Sequence, residues 1–519
     1  MSNRAPIKLG PAALGRAALG RAALARVALG RPALGRAALA WLVSSLALAT
    51  ATASSARAAS FVTVGPAAAS GPIAPGFLGF SFEYPTVEAY AGRDPAAVDP
   101  VLERLIANLT PDPVIRIGGQ SADWSWWPVA GMARPRGVSI TLDRRWLRVT
   151  RTLAQELGAR LILDVNMEAN SARVARAEGR AFLDGFGAGL IQALELGNEP
   201  ELYGIFNWGP SGRLGRPRPY DFSGAVRDFS RLSAGLPPLP LAGPAMGIPD
   251  WFKHLGRFLA AEPRVRVATL HRYPLQACYL TPPDPAYPTL GHLFSPRASR
   301  GLANSVAPYA TLSHYRGVQL RVDEMNSAAC RGAPGISDAF ASALWATDAL
   351  FEMARVGVDG VNIHTLPGSV YQPFSFRRSR GRWQASVHPL YYGLLLFAQA
   401  APEGSRLLKI RGALSTGLKA WATQTGDGAV RVVLINEALA RGRDVVVRVP
   451  GRDATATLDR MLAPSVRSKR GVTLGGQSFG SPTETGVLGG RARIARVLPA
   501  NGGYVVRVPP VSAAMLTLR

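Results

Sequence analysis

Two glutamates stand where apolar runs give way to polar residues: Glu199 in IQALELGNEPE and Glu324 in VQLRVDEMNS, 125 positions apart. Cleaving an acetal takes such a pair. One carboxyl, kept protonated, delivers its proton to the leaving oxygen, and one ionised carboxylate attacks or stabilises an oxocarbenium-like transition state. A gap of roughly 5 to 5.5 Å serves a covalent intermediate with retained configuration, and a wider gap admits a water and inverts. Either carboxylate alone reads equally as a helix cap or an ion-pair partner. Glu195, Glu201 and Asp323 flank the pair, and strand alternation turns Glu195 and Asp323 away from Glu199 and Glu324. Other run ends offer Glu83, Asn166, and LHRYP with His271 and Tyr273. Glu83 and Asn166 are candidate substrate contacts. Arg116 reads as a brace or a sugar ligand. Trp124, beside Trp126 and Trp127, is a candidate platform for a sugar ring, although three tryptophans in one loop also read as packing. The six histidines show no HExxH-like spacing, so no metal is expected. The sequence contains no Walker loop or strand-linked GxGxxG, and its GxSxG match, Gly476 to Gly480, lies in the C-terminal stretch without helical periodicity and so opens no helix, which leaves esterase, nucleotidase and dehydrogenase readings without support, and no cofactor is expected.

These side chains need elements to position them. Eight apolar runs, at 77–82, 114–117, 160–165, 191–196, 239–242, 265–270, 318–322 and 358–363, alternate with amphipathic stretches such as 98–109, 144–157, 251–260, 299–315 and 337–355. Near-continuous apolar strands between helices predict a parallel sheet covered by helices, and eight such units close a (β/α)8 TIM barrel, here over 76–400. Catalytic groups then sit at the carboxyl ends of strands, which places Glu199 after strand four and Glu324 after strand seven. From residue 401 onward, runs such as AVRVVLINE and DVVVRVP are punctuated by Gly and Pro without helical periodicity. That texture predicts a C-terminal antiparallel β-sandwich over 401–519, to which the run opening 61–75 is expected to add a strand. The fold class is α/β, a barrel with a sandwich appended.

Asn198-Glu199-Pro200, Glu324, the RIGGQSADW segment and above all EMNSAACRGAPGISDAFASALWATDAL carry a resemblance. Over about residues 61–519 the chain resembles glycoside hydrolase family 79, the β-glucuronidase and heparanase family in clan A of retaining barrel hydrolases. The resemblance implies Glu199 as acid/base, Glu324 as nucleophile, Asn198 as donor to the sugar 2-hydroxyl and Tyr273 as hydrogen-bond partner of the nucleophile. Family members often bind the substrate carboxylate with a tyrosine and backbone amides just beyond the nucleophile. Here that position is Ala329, followed by Cys330, Arg331 and Gly332. Arg331 has the fork to pair with a carboxylate, backbone N–H groups near Gly332 have the geometry to cradle one, and Tyr371 resembles another tyrosine used for that purpose. The implied activity is hydrolysis of terminal β-linked glucuronic acid or a related uronic acid from an oligosaccharide or glycoconjugate. The alternatives are the same machinery acting endo on heparan-like chains or on a neutral β-glycoside, transfer in place of hydrolysis, and a non-catalytic binder of anionic glycan.

Length and composition agree with a large folded hydrolase: 519 residues, 47% hydrophobic and 18% charged, exclude a disordered chain. The net charge of +25 invites a polyanionic partner. Only five of the 59 basic residues are lysine, which also reads as a general arginine bias. The charge divides as +8 over 1–60, +6 over 61–400 and +11 over 401–519. The barrel is thus the least basic part per residue; nucleic acid is not an expected partner, and peripheral contact with anionic polysaccharide falls to the sandwich. A monomer or simple dimer is expected. Residues 1–60 run in basic pentads, then an apolar stretch, then ATASSARAAS, the order of a secretory signal or an uncleaved signal anchor. The protein is therefore expected to be exported, periplasmic or extracellular. Its two cysteines, Cys278 and Cys330, fall in the loops after strands six and seven, neighbours in a barrel, and form a candidate disulfide.

Overall fold

The computed structural model describes residues 60–519. The leader expected before them, with its signal or anchor, lies outside the described residues. Eight strands, Leu78–Glu83, Val114–Gly118, Arg160–Val165, Ile191–Leu196, Leu241–Met246, Val265–Arg272, Gln319–Met325 and Gly360–Thr365, close a barrel in which every neighbouring pair is parallel. They are numbered one to eight below. Both faces are buried, which is why the sequence shows continuous apolar runs rather than alternation. Strand five starts later than its expected 239–242, at Leu241, because Pro237, Pro238 and Pro240 have no N–H to give a ladder.

The helical layer follows local signals. Arg144–Leu157 starts where the Asp143 carboxylate accepts the Trp146 N–H and stops at Gly158, whose φ of 61° suits glycine. The stretch expected as one helix at 299–315 is broken into Arg297–Gly301, Leu302–Asn304 and Ala307–Tyr315, the last begun around Pro308. The stretch 251–260 is likewise two pieces, Pro249–Phe252 and Leu255–Ala261. Tyr84–Ala91, Pro100–Ala107 within the expected 98–109, Ala172–Phe186, Phe222–Ser233 and Pro389–Ala400 also belong to the layer. Phe340–Arg355 is buried on nearly every side.

The sandwich explains that burial. A ten-stranded sheet carries Ser60–Pro72 between Arg406–Ala413, antiparallel to it, and Arg443–Arg448, parallel to it. Val430–Asn436 buries both faces: Val432 and Leu434 enter the sandwich core with Val62, Val445 and Tyr504, whereas Val433 and Ile435 join the barrel core. At this junction Lys419 Nζ lies 2.7 Å from Asp348 and 2.8 Å from Glu437, and Trp421 donates to Asp348 at 2.9 Å while stacking on Phe351.

Candidate active site

Glu324 is the sixth residue of strand seven, where the ladder slips against both neighbours. The irregularity breaks simple alternation. Asp323 and Glu195, expected to point away from the pair, instead point into the barrel: the Arg116 Nε stands 2.7 Å from Glu195 and 3.2 Å from Asp323. The same guanidinium reaches Glu324 Oε2 at 3.0 Å, Asp164 at 3.2 Å and Asn198 Oδ1 at 3.1 Å, all with no exposure of its own. Arg116 is a brace beneath the site. Its charge holds four carboxylates in one buried floor, where burial and then the Glu195 charge push Asp164 and Asp323 well above the usual carboxylate range.

Glu199 lies three residues past the end of strand four, on backbone that turns left-handed at Gly197 (φ 71°) and again at Glu199 itself (φ 48°). At Gly197 a Cβ would stand 2.3 Å from Tyr203 Oη, so only glycine fits. The Glu199 N–H donates to Ala245 at 2.9 Å, and Asp123 holds the turn from the other side. Its two oxygens accept the N–H groups of Met167, Glu168 and Asn198 and the Tyr203 hydroxyl, at 2.7 to 3.1 Å. Asp123 was not singled out by the sequence; its position in QSADW names the loop, and only the fold shows what it grips.

The two glutamates meet across His271. Its Nδ1 is 3.1 Å from Glu199 Oε1 and 3.9 Å from Glu324 Oε2, and the three side chains each offer an atom within 4.8 Å of the others. Tyr273 donates to Glu324 Oε1 at 2.7 Å. Burial alone would raise the Glu324 pKa, but His364, His271, Arg116 and the Tyr273 hydrogen bond outweigh it and hold the carboxyl down at about 2. For His271, burial opposes the charge, yet Glu324, Asp323 and Glu199 carry it up to about 9. The site therefore holds an ionised Glu324 beside a more open Glu199, whose side chain is 25% exposed against 11%.

Other candidates separate. Glu83 Oε2 accepts the Ser121 N–H at 2.7 Å, fastening the loop after strand two, while Oε1 lies 3.7 Å from His364. Asn166 does not face a substrate: it is fully buried, donating to Asp123 and Ser125 carbonyls and accepting from the Ala169 N–H. Trp124 is half-buried, packed against Gly209 with its Nε1 enclosed, whereas Trp126 is buried with Val138, Val174 and Trp208 and is packing. Glu201 accepts the N–H groups of Gly247 and Ile248. Tyr371 is buried 6.4 Å from the Tyr273 ring, and Gly332 is pressed against the Tyr371 backbone, where a Cβ would come within 3.0 Å. Arg331 is exposed, its Nη2 donating to Pro367 at 3.1 Å. Cys278 and Cys330 are joined by a disulfide across the loops after strands six and seven. Among the described residues the one cluster able to hold a cation is Glu199, His271 and Glu324 itself, where Arg116 already supplies a positive charge to Glu324.

Several solved glycoside hydrolases share this architecture. A 4-O-α-L-rhamnosyl-β-D-glucuronidase from Fusarium oxysporum 12S, in complex with Rha-GlcA, superposes with a TM-score of 0.68 at 19% identity, covering 89% of this chain and 100% of its own. A family 51 arabinofuranosidase from Xanthomonas axonopodis pv. citri gives 0.62 at 14%, covering 89% and 100%, and a family 44 xyloglucanase from Paenibacillus polymyxa gives 0.59 at 12%, covering 89% and 99%. At such identities the likeness is one of fold. No curated protein matches the chain in sequence. The glycosyl hydrolase family 79 C-terminal beta domain, however, matches residues 420–515. Barrel, strand-end glutamates and sandwich together define a glycoside hydrolase. Within its sandwich, residues 420–515 are similar to the C-terminal beta domain of family 79, the family the segment around Glu324 resembles.

Proposed function

We propose that the protein is a retaining exo-hydrolase that removes terminal β-linked glucuronic acid, or a closely related uronic acid, from a glycan or glycoconjugate. The observation that carries the reading is the close approach of Glu199 and Glu324, with atoms within 4.8 Å of one another and Glu324 held ionised. Such closeness favours the narrow, retaining spacing over one that lodges a water between the carboxyls. Glu324 attacks the anomeric carbon as its bond to the leaving oxygen breaks, and Glu199 gives that oxygen a proton. Ionised Glu199 then takes a proton from water, which attacks the same carbon and frees Glu324. Asn198, oriented by Arg116, stands beside the acid/base for a sugar hydroxyl.

Uronate recognition rests on Arg331, Gly332 and Tyr371, which lie together on the Tyr273 side of Glu324. The Fusarium neighbour, a β-glucuronidase with a uronic-acid disaccharide bound, supports that choice of sugar. Ala329 in place of a tyrosine favours a second reading, a neutral β-glycosidase. Paired assays on phenyl β-glucosiduronate and phenyl β-galactoside decide between them. The uronide is expected to be cleaved at least about 100-fold better, and Arg331→Gln to raise its KM about tenfold or more, the weight of a hydrogen bond to a charged group. Preference for the galactoside would establish the second reading. The disulfide and the leader support action outside the cytoplasm.

A further inference from the structure

Of the five large apolar side chains that the barrel leaves exposed among the described residues, four lie in the loops after strands four, five and six, the first two of these loops flanking Glu199: Ile205 (48% exposed), Phe206 (39%), Ile248 (36%) and Tyr279 (72%). Phe206 shares a cleft with Glu199 and Asn198, and its ring stacks on that of Tyr279 with centroids 6.0 Å apart and planes 22° from parallel. Ile248 follows Gly247, whose added Cβ would stand 2.3 Å from Glu199 Oε1. Apolar surface gathered in one place beside a catalytic group marks a contact surface rather than chance exposure.

The loops that carry it are fastened. Glu201 ties the loop after strand five to the loop after strand four through the N–H groups of Gly247 and Ile248. The Cys278–Cys330 disulfide adjoins Tyr279, which is held in the left-handed region at φ 70°, and Leu275–Gln276 pairs with Ala328–Ala329 just before it. A strained aromatic held open to solvent by a covalent link is a surface prepared before a ligand arrives.

The position decides what it meets. Glu199 protonates the leaving oxygen, so the atoms attached to that oxygen lie on the Glu199 side of the sugar, whereas the sugar itself lies between Glu199 and Glu324. We infer that Ile205, Phe206, Ile248 and Tyr279 form the aglycone site and that the substrate is a uronide of a planar, apolar aglycone, such as a fused-ring aryl alcohol, in preference to a link within a polyanionic chain. None of the four side chains is charged, and stacking rings gain most from a flat apolar partner. This inference rests on the uronide reading above.

The test compares 2-naphthyl with phenyl β-glucosiduronate, which differ by one ring, and with a uronate-terminated disaccharide. The unmodified protein is expected to favour naphthyl over phenyl in kcat/KM by about fivefold or more, the worth of burying the extra ring, and to cleave the disaccharide less well than either. Phe206→Ala with Tyr279→Ala brings the naphthyl-to-phenyl ratio close to one, and Phe206→Tyr with Tyr279→Phe, which keeps both rings, restores it. A ratio near one in the unmodified protein, a ratio untouched by the double alanine change, or a preference for the disaccharide overturns the inference. Should only neutral aryl glycosides be cleaved, the uronide reading fails, and the same ratio measured on that series tests the aglycone site by itself.

Discussion

Surroundings make two identical side chains unlike. Glu324 receives Arg116 and Tyr273 and stays ionised, while Glu199 meets His271 and opens toward solvent. Glu324→Gln is therefore expected to lower turnover of every substrate, by on the order of 10³-fold or more. Glu199→Gln should slow a phenyl uronide about 10² to 10⁴-fold but a uronyl fluoride far less, because fluoride departs without a proton. Equal losses on the two substrates would show that Glu199 is not the acid. His271 gives a pH signature in stability. With its pKa raised from about 6.5 to about 9, the cation's attraction to Glu324, Asp323 and Glu199 is present in full below pH 6.5 and is lost as pH rises through 9. The Tm is expected to fall across pH 7 to 10, and His271→Gln to flatten that fall. Glu199 and Glu324 were legible in the sequence because a carboxylate at a strand end stands out against apolar neighbours. Asp123 and His271 were not, since their roles depend on partners tens of positions away; Asn166 was misread for the same reason, its strand-end position concealing that its amide is consumed by the loop after strand two.

At the scale of elements, the site depends on departures from regular structure. The slip in strand seven brings Asp323 and Glu324 both to Arg116, and the left-handed turn at Gly197 and Glu199 delivers the Glu199 side chain to the site. Apolar runs announce the existence of strands, so all eight could be read; a bulge leaves no mark in hydrophobic pattern, and alternation applied to Asp323 failed there. Prolines account for two other differences, delaying strand five and dividing the helix around residue 308. The disulfide closes a span of 52 residues. Replacing both cysteines by serine is expected to cost about 4 kcal/mol of stability by the loop-entropy relation, read as a lowered Tm in unfolding scans and matched by a reductant acting on the unmodified protein. An unchanged Tm would mean that the two loops are held without the bond.

On the scale of the whole molecule, the sandwich keeps a core of its own and lends Val433 and Ile435 to the barrel core. Phe340–Arg355 lies in the barrel core with them, between barrel and sandwich residues, which is why its amphipathic appearance is weak and its burial nearly complete. Lys419 is the charged centre of that junction. Lys419→Met should leave Asp348 and Glu437 buried without their cation and destabilise the protein by about 3 to 5 kcal/mol, in a single transition seen alike by barrel and sandwich probes; separate transitions would show that the two halves unfold independently. The positive charge that dominates the composition is concentrated outside the barrel, so in the proposed function recognition of an acidic sugar is assigned to a few side chains near Arg331. The central claim, double displacement at a uronic acid, is tested most directly by following hydrolysis of phenyl β-glucosiduronate by proton NMR from the first turnovers. Free uronic acid should appear first as the β-anomer and only later mutarotate. Initial release of the α-anomer, or no cleavage of the uronide while a neutral glycoside is hydrolysed, would contradict the account.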